Sequence, residues 1–134
     1  MLQAGGFILF PQFLLDQMVA HVLSDPDHEM CGLLAGRAGE IERVLPVPNA
    51  ARSPSAFRMD GPEFIAAMQA CNFEPFGIYH SHIAGPPTPS ATDIAEANYP
   101  EAVYVIISLH VSPPSVRAFA ISSGQVQEVE IKVN

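Results

Sequence analysis

The chain has 134 residues, of which 49% are hydrophobic and only 15% charged. That length supports one domain, 1–134, around a single core, and that composition excludes a disordered chain. The formal net charge is −8, and the six cations (Arg37, Arg43, Arg52, Arg58, Arg117 and Lys132) are dispersed, so no nucleic-acid partner is expected.

Phe7-Ile8-Leu9-Phe10 reads as a short apolar strand ended by Pro11, which suits the first turn of a helix. Leu14, Met18 and Val22 then recur at fourfold spacing, with Leu15 and Val19 beside them, which predicts a core-facing helix stopping before Ser24-Asp25-Pro26. Asp27-His28-Glu29 is a polar approach to a buried strand, Met30 to Ala35. A turn at Gly36-Arg37-Ala38-Gly39 leads to an antiparallel partner, Ile41 to Val47. Pro48 to Ser55 reads as loop and Phe57-Arg58-Met59 as a short strand. Asp60-Gly61-Pro62-Glu63 reads as a helix N-terminus with a capping box, followed by an apolar face of Phe64, Met68 and Cys71. A strand from Phe76 to His82, the loop Ile83 to Pro89 and a short helix from about Ser90 to Asn98 come next. Val103 to Leu109 is a continuous apolar run, as in a strand buried on both faces. Val116 to Ile121 and Val126 to Val133 form a hairpin around Ser123-Gly124. The order predicts one mixed, mostly antiparallel sheet with helices packed on it, a three-layer α/β domain.

No apolar run reaches the ~18 residues of a membrane span. Met1 to Phe7 shows neither a basic n-region nor an apolar h-region, so a soluble cytoplasmic protein with no membrane partner is expected. Cys31 and Cys71 lie outside any CxxC pattern, which excludes a cysteine-type zinc finger and a disulfide framework. A metal would have to be held by histidine and carboxylate.

In a strand, alternate side chains share a face, so His80 and His82 of His80-Ser81-His82 point the same way. Asp93 follows at the start of the third helix. Two imidazoles and a carboxylate on rigid elements are the donor set of a catalytic zinc site, which has three protein ligands and a fourth position for water. Each piece also has an ordinary reading. Any two alternate strand residues share a face, Ser90-x-x-Asp93 fits a capping box, and Glu29 fits a surface acid. His21, His28 and His110 read as solvated or structural.

Taken together, the spacing is more specific. Glu29 sits beside Met30-Cys31-Gly32-Leu33-Leu34; then come His80-Ser81-His82, seven residues, Ser90, two residues and Asp93. In this the chain resembles the JAMM/MPN metalloproteases, the zinc isopeptidases of proteasome-lid and signalosome type, over about Glu29 to Leu109. It departs in Ile83, where the family often has Pro, and it lacks room for the insertions of eukaryotic relatives, so it looks like a minimal prokaryote-type member.

The resemblance implies a cytidine-deaminase-like fold and a zinc-dependent metallo(iso)peptidase. His80, His82 and Asp93 would bind Zn(2+), Glu29 would act as general base on a water, and Ser90 would donate to the oxyanion. Ser81 would point away as a packing residue, and Cys31 is read as a core thiol. The bond cleaved would be the amide after the C-terminal Gly-Gly of a ubiquitin-like or sulfur-carrier protein. Such a tail would lie in a narrow trough along the loop from Asn49 to Phe57 or along an edge strand, Ile41 to Val47. The rival readings are an MPN-type binding scaffold and a zinc nucleobase deaminase. The latter is disfavoured because His-x-Glu and Pro-Cys-x-x-Cys are absent. A DNA-repair-associated branch of the same superfamily also carries His-x-His, and the lack of basic surface argues against it.

Overall fold

The computed structural model describes residues 6–134. Residues 1–5, part of the stretch read above for a leader, lie outside the described residues. Strand β1 (Phe7–Phe10) stops at Pro11, which has no N–H to give a ladder and whose fixed φ starts helix α1 (Gln12–Leu23). The fourfold spacing buries Leu14, Met18 and Val22. Strands β2 (Cys31–Arg37) and β3 (Glu40–Val47) form a hairpin whose turn residues, Ala38 and Gly39, both have positive φ, 54° and 78°. The hairpin of β6 (Ser115–Ser122) and β7 (Gln125–Val133) uses the same geometry at Ser123 and Gly124, φ 52° and 76°. Turns of this hand match the right-handed twist of the flanking strands. Helix α2 (Gly61–Ala70) precedes β4 (Gly77–His82), and the short α3 (Ala91–Ala95) lies between β4 and β5 (Val103–Ser108).

The sheet is mixed and helices pack on it. The strand order is β1-β3-β2-β4-β5-β6-β7. The β2–β3, β2–β4, β5–β6 and β6–β7 pairs are antiparallel, whereas β4–β5 and both pairs of β1 are parallel. Where the sequence led us to expect a three-layer, cytidine-deaminase-like sheet, the strands close into a barrel. The closing piece is β1, which pairs with β7 from Phe7↔Glu130 to Phe10↔Val133 and meets β3 at Leu9↔Glu40. A four-residue apolar strand with no hairpin turn beside it carries no signal of which strands it will join. Past Glu40, β3 has β2 as its strand partner among the described residues, so the closure is narrow on that side.

Two apolar clusters occupy the two faces of the sheet. One gathers residues from every strand, with Leu14, Met18 and Val22 of α1 filling its centre beside Phe10, Leu34, Tyr79 and Val105. The other packs Ala67 and Met68 of α2 against Leu33, Ile78, Ile106 and Phe119. Alternation along β4 therefore sends Tyr79 to the α1 side and Ile78 to the α2 side, and His80 and His82 follow Ile78.

Several local expectations are corrected. Phe57 to Met59 is irregular rather than a strand, tied to the neighbouring chain through Ala50 N–H donating to the Arg58 carbonyl. The predicted capping box at α2 does not form, because the Asp60 carboxylate is taken by Arg58 Nε at 2.8 Å. Strand β2 begins at Cys31 rather than Met30, and α3 is shorter than predicted, ending at Ala95. Among the described residues no helix is long and apolar enough to cross a membrane.

Gly32 lies where a Cβ would stand 2.4 Å from the ring of Tyr79, a side chain with no exposure at all. The absent side chain lets that ring cross β2, and the Tyr79 hydroxyl ends 2.7 Å from His21 Nδ1. Gly32→Ala is therefore expected to lower the unfolding free energy by about 1–3 kcal/mol through forced repacking. Urea unfolding measures this, and an unchanged midpoint would contradict the packing described.

Candidate metal centre

The site lies at the carboxyl end of β4, which pairs antiparallel with β2 and parallel with β5. His80 and His82 stand side by side on one face, with their Nε2 atoms 3.0 Å apart. Asp93, two residues into α3, reaches both: Oδ1 lies 3.2 Å from His80 Nε2 and Oδ2 3.1 Å from His82 Nε2. Ser90 caps α3 and forms the capping box read from the sequence, accepting from Asp93 N–H at 3.0 Å and donating its own N–H to Asp93 Oδ2 at 2.9 Å. The capping reading and the donor reading of Asp93 are thus both true, since the cap turns the carboxylate towards the imidazoles.

These imidazoles are held by their surroundings. His82 Nδ1 lies 2.8 Å from the Pro86 carbonyl, which can only accept, so Nδ1 carries the hydrogen. The Nε2 lone pair of neutral His82 then faces the Asp93 carboxylate and His80 Nε2. Ser108 Oγ donates to the Gly85 carbonyl at 2.7 Å and fastens the loop that presents Pro86. His80 is buried beneath the ring of Phe57, stacked at 4.4 Å between centroids, and its Nδ1 has no hydrogen-bond partner. Two ring nitrogens and a carboxylate converge here, and a proton shared among them or a cation bound between them offsets their mutual repulsion. Tetrahedral zinc bonds of about 2.0–2.1 Å would separate ligand atoms by about 3.3 Å. The measured 3.0–3.2 Å separations fit that donor set with little adjustment.

The charges follow from burial and from this cluster. Burial would raise the Asp93 pKa, but the two imidazoles outweigh it and hold the carboxyl well below the usual range. Burial lowers the pKa of His80, more than Asp93 raises it. In His82, burial is outweighed by Asp93 and the Pro86 carbonyl, and the pKa rises.

Glu29 precedes β2 and is buried. Strand β2 pairs with β4 in the register Cys31↔His80 and Gly32↔Tyr79. Ser81 N–H donates to the Met30 carbonyl at 2.9 Å, and Met30 N–H donates to Ser81 Oγ at 2.9 Å, so the same register runs on past Cys31. Glu29 directly precedes this bonded pair and lines the same groove as His82. Burial, with Asp93 adding to it and His82 opposing, lifts the Glu29 pKa to about 7. Glu29, His82, Ser90, Asp93 and Phe57 line one groove of about 250 Å³. Ser90 is exposed there, and its hydroxyl hydrogen is free of the cap, in which Oγ only accepts.

The structure thus brings together all five residues singled out in the sequence: Glu29, His80, His82, Ser90 and Asp93. The sequence points to the loop from Asn49 to Phe57 as one wall of a trough, but sequence reasoning missed the stacking of Phe57 on His80 and the Pro86 carbonyl, since no spacing pattern marks them. Cys31 is fully buried, donates to the Val47 carbonyl at 3.4 Å and has its thiol pushed up to about 12 by burial, so it packs as a neutral core group. His21 is structural through Tyr79, and His28 pairs with Asp25 at 3.0 Å.

A trio of two nitrogens and one carboxylate that could hold a metal ion thus stands beside a groove that a second buried carboxylate also lines. Residues 11–122 match the family model described as prokaryotic homologs of the JAB domain. The chain is 39% identical over 127 residues to the CysO-cysteine peptidase of Mycobacterium tuberculosis, covering 90% of this chain and 86% of that one. It is 40% identical over 125 residues to the "Probable TtuB-protein conjugate cleaving protease" of Thermus thermophilus, covering 90% of this chain and 80% of the relative. The solution structure of protein DSY2949 from Desulfitobacterium hafniense superposes with a TM-score of 0.84 at 34% identity, over 96% of this chain and 93% of that one. This chain belongs to the family of prokaryotic homologs of the JAB domain, and it is a hydrolytic enzyme.

Zinc titrated into metal-free protein is expected to bind at one equivalent, and His82→Ala to abolish that binding. Calorimetry measures both, and equal affinity in the variant would rule out the donor trio.

Proposed function

We propose that the chain is a zinc-dependent metallo(iso)peptidase that hydrolyses the amide bond after the C-terminal Gly-Gly of a ubiquitin-like or sulfur-carrier protein, working in the cytoplasm as one domain, 1–134. The observation that carries this reading is the convergence of His80 Nε2, His82 Nε2 and the Asp93 carboxylate within 3.0–3.2 Å of one another, in a groove shared with Glu29 and Ser90. His80, His82 and Asp93 would hold the metal, which the nitrogen and oxygen donors suit. Zinc bound there supplies a Lewis acid that brings the pKa of a coordinated water down to about 7.

The remaining work falls to the protein's own groups. Glu29 lines the same groove, where it is placed to accept a proton and to give it back. It takes a proton from the attacking water as the water oxygen adds to the scissile carbonyl carbon. Ser90 Oγ–H donates to the oxyanion that develops on the carbonyl oxygen. As the C–N bond breaks, Glu29 returns the proton to the leaving amine, and the tail departs as a carboxylate. Phe57 and the Pro86 carbonyl hold the two imidazoles in place.

Two things support the substrate class. The relatives are named for acting on CysO-cysteine and on TtuB-protein conjugates. The groove also adjoins a second, more apolar depression of about 500 Å³, with Phe57, Thr92 and Glu96 lining both. Two adjoining depressions would give an extended tail a surface to lie along.

The test is a diglycine-tailed carrier fused to a C-terminal peptide, incubated with and without a chelator and read by mass spectrometry. Cleavage after Gly-Gly that stops on chelation is expected. Glu29→Gln should retain zinc and lose about 10²–10⁴-fold in rate, and Ser90→Ala about 10²-fold. A Glu29→Gln variant of full activity would remove the proposed base, and carrier binding without cleavage would favour the MPN-type scaffold.

A further inference from the structure

We propose that Asn49 is a positioning residue for the reaction: its side chain ties the main chain of Glu29 to the loop that carries Phe57, so that both halves of the groove keep one geometry. The kinetic part of this inference rests on the function assigned above, and the structural part does not.

Asn49 follows β3 after Pro48, and its side-chain amide makes four hydrogen bonds. Nδ2 donates to the Glu29 carbonyl at 2.8 Å and to the Ala56 carbonyl at 2.9 Å. Oδ1 accepts from Ala51 N–H at 2.9 Å and from Arg58 N–H at 3.0 Å. A primary amide offers two N–H donors and two lone pairs, so its capacity is filled. Two carbonyls meet one end and two N–H groups the other, which leaves a single orientation for the amide.

The loop held in this way reaches the site at two points. Ser53 accepts from Glu29 N–H at 2.9 Å, so both main-chain polar groups of Glu29 are bound by the segment 49–58. At the far end of the loop, Phe57 stacks on His80. Ala50 N–H donates to the Arg58 carbonyl at 2.8 Å and closes the loop at its base. Across the strand, Ser81 fixes Met30. Glu29 is thus held between β4 and this loop, and Asn49 is the side chain that joins the loop's two limbs to it. Asn49 lines neither groove, and its four hydrogen bonds go to Glu29, Ala51, Ala56 and Arg58 rather than to His80, His82 or Asp93, so its action on the chemistry passes through Glu29 and Phe57.

Asn49→Asp has nearly the same shape but sets a carboxylate oxygen against the Glu29 and Ala56 carbonyls in place of two donors. Misplacement of a catalytic group by about 1 Å costs on the order of 10²-fold in rate. With the diglycine-tailed carrier, Asn49→Asp is therefore expected to lower kcat about 10- to 100-fold with KM little changed, while zinc stoichiometry stays at one. In the Glu29→Gln background the same substitution should have a smaller effect, because the share that passes through the Glu29 carboxylate is gone. Hydrogen exchange read by mass spectrometry should show residues 50–58 losing protection in Asn49→Asp while β4 and β5 keep theirs. Should that variant fail to fold, Asn49→Ser, which breaks the fourfold bonding without adding charge, is read in the same way. Wild-type kcat, or unchanged protection of 50–58, overturns the proposal, as does an effect of undiminished size in the Glu29→Gln background. A wild-type protein that binds zinc but cleaves no such carrier overturns the assigned function instead, and the exchange comparison then decides whether Asn49 ties Glu29 to the loop.

Discussion

The antiparallel register of β2 on β4 is the constraint on which the site depends. Cys31 stands opposite His80, and one residue further on Ser81 holds Met30, the neighbour of Glu29. A slip of one residue would turn the paired faces over, sending Glu29 to the side filled by α1. Gly32 and Tyr79 help to lock that register, since the Tyr79 ring occupies the space where any side chain at position 32 would lie. The packing of the core and the geometry of the groove are in this sense one problem solved once.

Around that register, ordinary structural devices acquire chemical consequences. The capping box of Ser90 and Asp93 is a common way to start a helix, yet here it aims a carboxylate at two imidazoles. The Pro-rich loop after β4 turns back so that a carbonyl fixes the tautomer of His82. Ser81, which points away from the groove, holds the strand segment that carries Glu29. Desolvation of Glu29 lifts its pKa to about 7, and the same burial keeps Cys31 neutral.

Much of the donor trio was legible in the sequence because it is local. His80 and His82 follow from the two-residue period of a strand, and Asp93 from a helix-start signal eleven positions after His82. Glu29 was legible only through family resemblance, since nothing near it in the chain says which strand it will oppose. Phe57 and Asn49 lie in an irregular loop, where no period exists to be read. The expected strand at Phe57 to Met59 did not form because a side-chain amide, rather than a neighbouring strand, takes the Arg58 N–H. Asp60 likewise left its expected cap for the Arg58 guanidinium, a competitor two residues away.

By itself the sequence determined most of the elements, their apolar faces and the grouping of His80 with His82 on one strand face, because these depend on neighbours within a few residues. Only the tertiary structure decided which strands meet. It placed β1 between β3 and β7 to close the barrel, and it paired β2 with β4, which leaves Glu29 and His82 lining one groove. Strand partners are chosen by contacts between residues far apart in the chain, and local propensity does not encode them.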